Sequence, residues 1–293
     1  MKIIDYHHHI LPKEVVRLIP NFNKSNSIWD IEKSIEFLEQ NNLEGAVLSL
    51  YHPSLPVSNK DLWLKIVRTY NEAVSSIKKM YPYKFRAFAA VPFPYIKESI
   101  SEINYAFDTL GLDGVCIFPI TGEKQLDNEE FIPIIEELNK RSAAVLLHPI
   151  NSEGIPVDNP RYLDSVLALT RFMYFDRFIK CKNIRFILSH TAGIIPFLAD
   201  NMGVLQYMQD KKQKMGKFLW DYIVKKRLEG DTIMKSVYID TSDCFDESAL
   251  QSQLDFFNKD HILWGSDMNT VKNLEILKNH PQVFKHIESP MLM

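Results

Sequence analysis

Three consecutive histidines, His7, His8 and His9, stand in the stretch IDYHHHILP, between a short apolar start and a proline. Side chains alternate along a strand, so His7 and His9 at a strand end share one face and His8 takes the other. On that reading His8 packs between the strand and a helix, and Asp5 lies on the face of His7 but deeper, in a hydrogen-bonding role. Single ionisable residues close other short apolar runs: His148 in AAVLLHP, His190 in RFILSH and Asp267 in ILWGSD. Two imidazoles two apart, a third from across a ring of strands and a carboxylate suit a zinc-like divalent ion, which accepts nitrogen and carboxylate ligands and needs an open position for catalysis. The bland alternatives are a fragment of an expression tag or a few solvated imidazoles. Three histidines in a strand-like context are too few for a tag, while His261, His280 and His286 default to ordinary solvated or hydrogen-bonded roles.

The elements that would gather these groups can be counted. KIIDYHH, GAVLSL, FRAFAAV, GVCIFP, AAVLLHP, RFILSH, VYIDTS and ILWGSD are eight runs of strand length, nearly all apolar, as expected of strands buried on both faces. Segments with helical spacing separate them. Leu62, Ile66, Tyr70, Ala73, Ile77 and Tyr81 form one expected stripe, Ile100, Ile103, Phe107 and Leu110 another, and Ile132, Ile135 and Leu138 part of a third. Alternating strand and helix predicts parallel pairing, and eight repeats predict a closed (β/α)8 TIM barrel of the α/β class. Such a barrel carries its chemistry at the carboxyl ends of its strands. His7 and His9 end strand 1, His148 strand 5, His190 strand 6 and Asp267 strand 8, so all five fall on that face. Pro12 suits the first turn of a helix through PKEVVRLI.

With 293 residues the chain slightly exceeds the roughly 250 of a typical barrel, and no low-complexity linker divides it. A single domain over 1–293 is expected, with the stretch 200–234 read as a helical insertion packed outside the barrel or on a partner. Lys and Arg number 34 against 37 Asp and Glu, for a net charge of −3, which argues against nucleic acid or an anionic membrane as the main partner. Cys116, Cys181 and Cys244 lie far apart without CxxC spacing and read as reduced thiols. Neither a signal peptide nor a membrane span stands out, so a cytoplasmic location is expected.

At these residues the sequence resembles the amidohydrolase superfamily, in particular the branch of aminocarboxymuconate semialdehyde decarboxylase and the decarboxylases of resorcylate, carboxyvanillate and methylsalicylate. IDYHHHILP is similar to that branch's opening HxH motif; LLHP, ILSHTAG and WGSD resemble its later signatures in the same order, and FRAFAAVPFP with LGLDGVCI resembles the segment between. The resemblance covers nearly the whole chain. It implies one divalent metal, zinc ahead of manganese, held by His7, His9, His148 and Asp267, with His190 beside it as acid or base and no organic cofactor. Two-metal members bridge their ions with a carboxylated lysine on strand 4, and GVCIFPI offers none. The glutamate that purine deaminases carry close after the strand 5 histidine is also missing, since HPIN follows here. The chain departs from the branch in three places. Only the short NFNKSNSIWD occupies the region that supplies a substrate-gripping arginine, Asn201 stands where a neighbouring subunit would lend a second, and the final GNA motif does not follow Asp267. Relatives that share loops between subunits make a homodimer a reasonable expectation.

Three functions fit this pattern. The first is non-oxidative decarboxylation of a small carboxylated aromatic or dienoic acid, in which the ion orients the carboxylate and stabilises developing charge, His190 manages a proton and Asp267 both ligates and takes part in proton delivery. The second is hydrolysis of a lactone, ester or amide by a water whose pKa the ion lowers to about 7. A non-catalytic binding protein on a degenerate barrel is the third. The family pattern favours the first, a small carboxylic acid being its substrate. Tyr51 and Phe118 are candidate walls for a planar ligand, core packing being an equal reading for Phe118, and His52, in LYHPSLP after strand 2, defaults like the other single histidines to an exposed loop imidazole but is the one further histidine that can be placed at the mouth as a substrate-binding residue. Lys124, Arg161 and Arg171 are basic candidates for a substrate carboxylate.

Overall fold

A computed structural model describes residues 3–20, 22, 30–51, 55–121, 124–126, 128–149, 182–190, 217, 221, 237–267 and 271–280. Its eight-stranded sheet runs in sequence order: β1 (Ile4–His9), β2 (Gly45–Ser49), β3 (Phe85–Ala90), β4 (Gly114–Ile117), β5 (Ala144–Leu147), β6 (Arg185–Leu188), β7 (Tyr238–Asp240) and β8 (Ile262–Leu263). Each strand pairs in parallel with the next. Closure comes from the segment that follows β8. Trp264 O accepts the N–H of Tyr6 at 2.9 Å, Asp267 donates its N–H to His7 O at 2.8 Å, and His8 bridges Asp267 in parallel. Seven of the eight expected runs contain one of these strands and the first, KIIDYHH, stops one residue short of the end of β1; near-continuous burial explains their composition: β2, β4 and β5 are buried throughout.

The described helices are α1 (Lys13–Val16), α2 (Ile31–Gln40), α3 (Lys60–Met80), α4 (Ile96–Asp108), α5 (Ile132–Lys140), α6 (Glu247–Phe256) and α7 (Lys272–Lys278). Side-chain caps start several of them: Asp30 accepts the N–H of Lys33, Asn59 that of Leu62, and Asp246 those of Ser248 and Ala249. Helical spacing located α3, but its deepest face is Trp63, Ile66, Val67, Tyr70 and Val74, while Leu62, Ala73, Ile77 and Tyr81 flank it half-buried. The stripe is turned by about one residue because Trp63, whose indole donates to Phe93 O at 3.2 Å, takes the innermost position. In α4 the buried face includes Glu102, which the apolar pattern does not reveal. Arg68 on α3 grips that carboxylate through Nε and Nη2, and Asn71 donates to it at 2.9 Å.

A two-residue ribbon, Ile120–Thr121 against Lys124–Gln125, follows β4. The stretch 200–234 lies outside the described residues apart from Lys217 and Asp221. No described helix is long and apolar enough to cross a membrane.

Candidate metal centre

The opening strand does not run as a regular ladder. Asp5 pairs with Ala46 and His8 with Leu48, so β1 spends three residues where β2 spends two, and a register shift falls between Asp5 and His8. Beyond the shift, alternation holds. His7 and His9 point to the same place, with their Nε2 atoms 3.0 Å apart, while His8 turns to α2 and meets Ser34 Oγ at 2.9 Å. The shift corrects the face expected of Asp5, while the expected hydrogen-bonding, supporting role stands. Its carboxylate goes to the His8 ring at 2.9 Å and reaches only the backbone N–H of His7, and it also accepts the N–H of Ser266. It supports the strand at the irregularity, where the ladder leaves a backbone donor over.

Around His7 and His9 the other strand ends supply the rest of the cluster. His9 Nε2 lies 3.1 Å from His148 Nε2 and 3.1 Å from Asp267 Oδ1, and His7 Nε2 lies 3.3 Å from the same oxygen. His148 Nε2 stands 3.8 Å from it. His190 joins them: one ligand atom each from His7, His148, His190 and Asp267 lie within 4.8 Å of one another. All five residues are buried.

Hydrogens decide what this cluster can hold. Pro149 O only accepts, so His148 donates Nδ1–H to it at 2.6 Å and keeps a lone pair on Nε2. Asp240 fixes His7 in the same way, with Oδ2 2.8 Å from Nδ1. His9 Nδ1 meets Ser49 Oγ at 2.9 Å, and that hydroxyl donates to His8 O, which leaves it to accept from the ring. In the neutral rings three lone pairs therefore converge beside Asp267 Oδ1, a buried oxygen with no hydrogen-bond partner. Donors about 2.1 Å from one ion sit roughly 3.0 Å apart at right angles and roughly 3.4 Å apart at the tetrahedral angle. Four of the spacings above, 3.0 to 3.3 Å, fall in that range, the 3.8 Å between His148 and Asp267 corresponds to a wider angle, and the donor set of three imidazoles and one carboxylate fits a divalent cation.

The electrostatics agree with a site built for positive charge. Burial alone would lower the pKa of His7, but the facing carboxylate of Asp240, joined by Asp267 and Asp5, overrides it and lifts the value to about 9. Burial lowers His9 to about 4 and holds His148 well below the ordinary imidazole value. Asp267 would be raised by burial, yet the surrounding His148, His9 and His7 hold it well below the carboxylate range. One proton on His7 cannot satisfy four inward donors; a dication can.

The residues that support this cluster went unassigned in the sequence. Asp240, the last residue of β7, accepts from His7 with one oxygen; with the other it accepts the N–H of Ser242 at 2.9 Å, the N–H of His190 at 3.2 Å and, in a short bond, the Ser242 hydroxyl. It reaches His7 across the segment after β8 because position 265 has no side chain. A Cβ on Gly265 would lie 2.6 Å from the Cβ of His7 and 3.3 Å from that of Asp240. The signal was present in YIDTS and WGSD: an acid at a strand end on the face that carries the chemistry, and a glycine where backbone and side chain crowd. Asp243 completes the arrangement, with Oδ2 3.0 Å from His190 Nδ1. Among the described residues five other than glycine have positive φ, and His190, Asp243 and Asp267 are three of them, so backbone strain collects at this mouth.

Tyr51 lies half-buried against His148 and His9, with ring centroids 4.7 and 5.1 Å away. Phe118 is buried between His148 and Trp63 and belongs to the core. His52, Arg161, Arg171 and Asn201 lie outside the described residues.

A nearly closed parallel barrel with histidines and an aspartate gathered at its carboxyl face defines an α/β barrel with a candidate metal site at its mouth. Residues 4–278 match the amidohydrolase family, and the chain belongs to it. The 6-methylsalicylic acid decarboxylase of Aspergillus aculeatus is 28% identical over 282 residues, covering 90% of this chain and 83% of that protein. Among solved structures, 5-carboxyvanillate decarboxylase from Sphingomonas paucimobilis has the same fold, with a TM-score of 0.81 at 15% identity over 98% of this chain and 96% of that one. A dihydroxybenzoic acid decarboxylase from Polaromonas, determined with bound manganese and an inhibitor, aligns with a TM-score of 0.78 at 16% identity over 98% and 94% of the two chains.

Proposed function

We propose that this chain is a metal-dependent, non-oxidative decarboxylase of a small hydroxylated aromatic acid, with His7, His9, His148 and Asp267 holding one divalent ion, zinc or manganese, and His190 transferring the proton. The observation that carries this reading is the convergence of three Nε2 lone pairs on the partnerless Asp267 Oδ1, in a chain whose similar proteins include decarboxylases of aromatic acids. Imidazole and carboxylate donors suit zinc, and manganese is the ion held by the Polaromonas protein.

When bound, the ion supplies a positive centre for the substrate carboxylate and the oxygen beside it. The chain does the rest. Loss of CO2 leaves an electron pair on carbon, and His190 is the group that brings a proton to it. Tyr51 offers a flat face beside His148 and His9 on which a planar acid can lie. The burial of the five ionisable groups keeps water from competing with the substrate.

Purified protein should contain about one equivalent of zinc or manganese by elemental analysis, and His148→Ala should lose it. Activity should fall in that variant by more than the roughly 10–100-fold typical of an outer partner's removal. Incubation with 6-methylsalicylate and dihydroxybenzoates should release CO2 with the decarboxylated arene as the product. Turnover of lactones or esters without CO2 release would replace this reading with a hydrolytic one.

A further inference from the structure

His190, buried just beyond the end of β6, is held at both its backbone and its ring. Its backbone N–H donates to both Asp240 Oδ1 and Ser242 Oγ at 3.2 Å, which secures a residue whose φ is 55°. On its ring, Nδ1 lies 3.0 Å from Asp243 Oδ2 and 3.3 Å from Ser242 Oγ. Ser242 has a single hydroxyl proton, and its short bond to Asp240 takes it. The serine oxygen therefore presents only lone pairs to the imidazole, as the Asp243 carboxylate does. With acceptors on both sides, Nδ1 must carry the proton, and in the neutral ring the lone pair falls on Nε2.

We propose that Asp243 is the positioning residue of the proton-transfer step. It keeps Nδ1 protonated, so that Nε2 is the nitrogen that exchanges a proton with the substrate, and its negative charge offsets the ring's positive charge while both nitrogens are protonated. In the step, the Nε2 proton passes to the carbon that has lost CO2, where the electron pair of the broken carbon–carbon bond receives it. The ring returns to its neutral Nδ1–H form and regains a proton at Nε2 from solvent, so no oxidant or reductant enters. The Asp243 side chain is 40% exposed and that of His190 only 6%, which makes Asp243 the junction between the buried ring and water. Its own φ of 58° lies in the left-handed region, which aspartate tolerates better than most residues.

The kinetic arm of the test rests on the decarboxylase reading; the spectroscopic arm does not. In zinc-loaded protein with 15N-labelled histidine, His190 should give the Nδ1–H pattern, Asp243→Glu should keep it, and Asp243→Ala should shift the ring toward a mixture of tautomers. With a decarboxylated aromatic acid, Asp243→Asn should lower kcat about 10–100-fold with KM within about twofold and metal content unchanged, and Asp243→Glu should recover most of the rate. An unchanged His190 spectrum in Asp243→Ala, or an unchanged kcat in Asp243→Asn, overturns the proposal. If no aromatic acid is decarboxylated but the tautomer follows residue 243, the assignment of Asp243 holds and the substrate reading alone fails.

Discussion

Asp240 determines which nitrogen of His7 is available, and His7 in turn sets how the site responds to pH. In the metal-free protein the ring keeps its proton to about pH 9, since Asp240, Asp267 and Asp5 together outweigh the effect of burial. An ion binding at Nε2 must displace that proton. His9, lowered by burial to about 4, and His148, held by burial well below the ordinary imidazole value, are already neutral near pH 7 and release none. Affinity should therefore rise by about tenfold per pH unit up to about pH 9, with about one proton released for each ion bound. Calorimetric titration between pH 6 and 8 in buffers of different ionisation enthalpy measures both quantities, and equal affinity at the two ends would contradict the assignment of His7.

Between elements, Asn71 is a three-way join of the scaffold. From α3 it donates to Ala90 O at 3.0 Å, accepts the Ala90 N–H at 2.8 Å and donates to the buried Glu102 of α4, so one side chain ties two helices to the end of β3. Asn71→Ala leaves those groups without their partner and should lower the stability measured by urea denaturation by about 1–3 kcal/mol. This join also marks where reading the sequence stops short. The eight strands were legible because burial on both faces writes an unbroken apolar run, and the helices because their period shows. The rotation of α3 and the burial of Glu102 were not, since each depends on partners from another element. The site divides in the same way. Five residues at strand ends were found from type and position alone. Asp240, Ser242 and Asp243 matter only through contacts that the ring's curvature and the bare Gly265 create, and the strand shift that redirects Asp5 has no mark in residue type.

For the molecule as a whole, the centre draws on β1 and on the segments after β5 and β8, so an ion there would fasten distant parts of the barrel to one another. At an ion concentration a hundred times its Kd this adds about 2.7 kcal/mol. Chelation should accordingly lower Tm by roughly 5–10 °C. The effect should grow with pH. His7, raised in the folded state, contributes stability to the metal-free protein that is complete below its unfolded value near 6.5 and lost as pH rises through about 9, while the loaded protein, in which the ion has replaced that proton, stays level over the same interval. Thermal scans with and without chelator at pH 6.5 and 8.5 would reveal it. The closing bonds place Asp267 N–H on His7 O, so the last donor and the first belong to the same clasp. A nascent chain still emerging from the ribosome holds the early imidazoles long before the carboxylate that joins them, so the four-donor cluster is complete only once synthesis has passed the eighth strand.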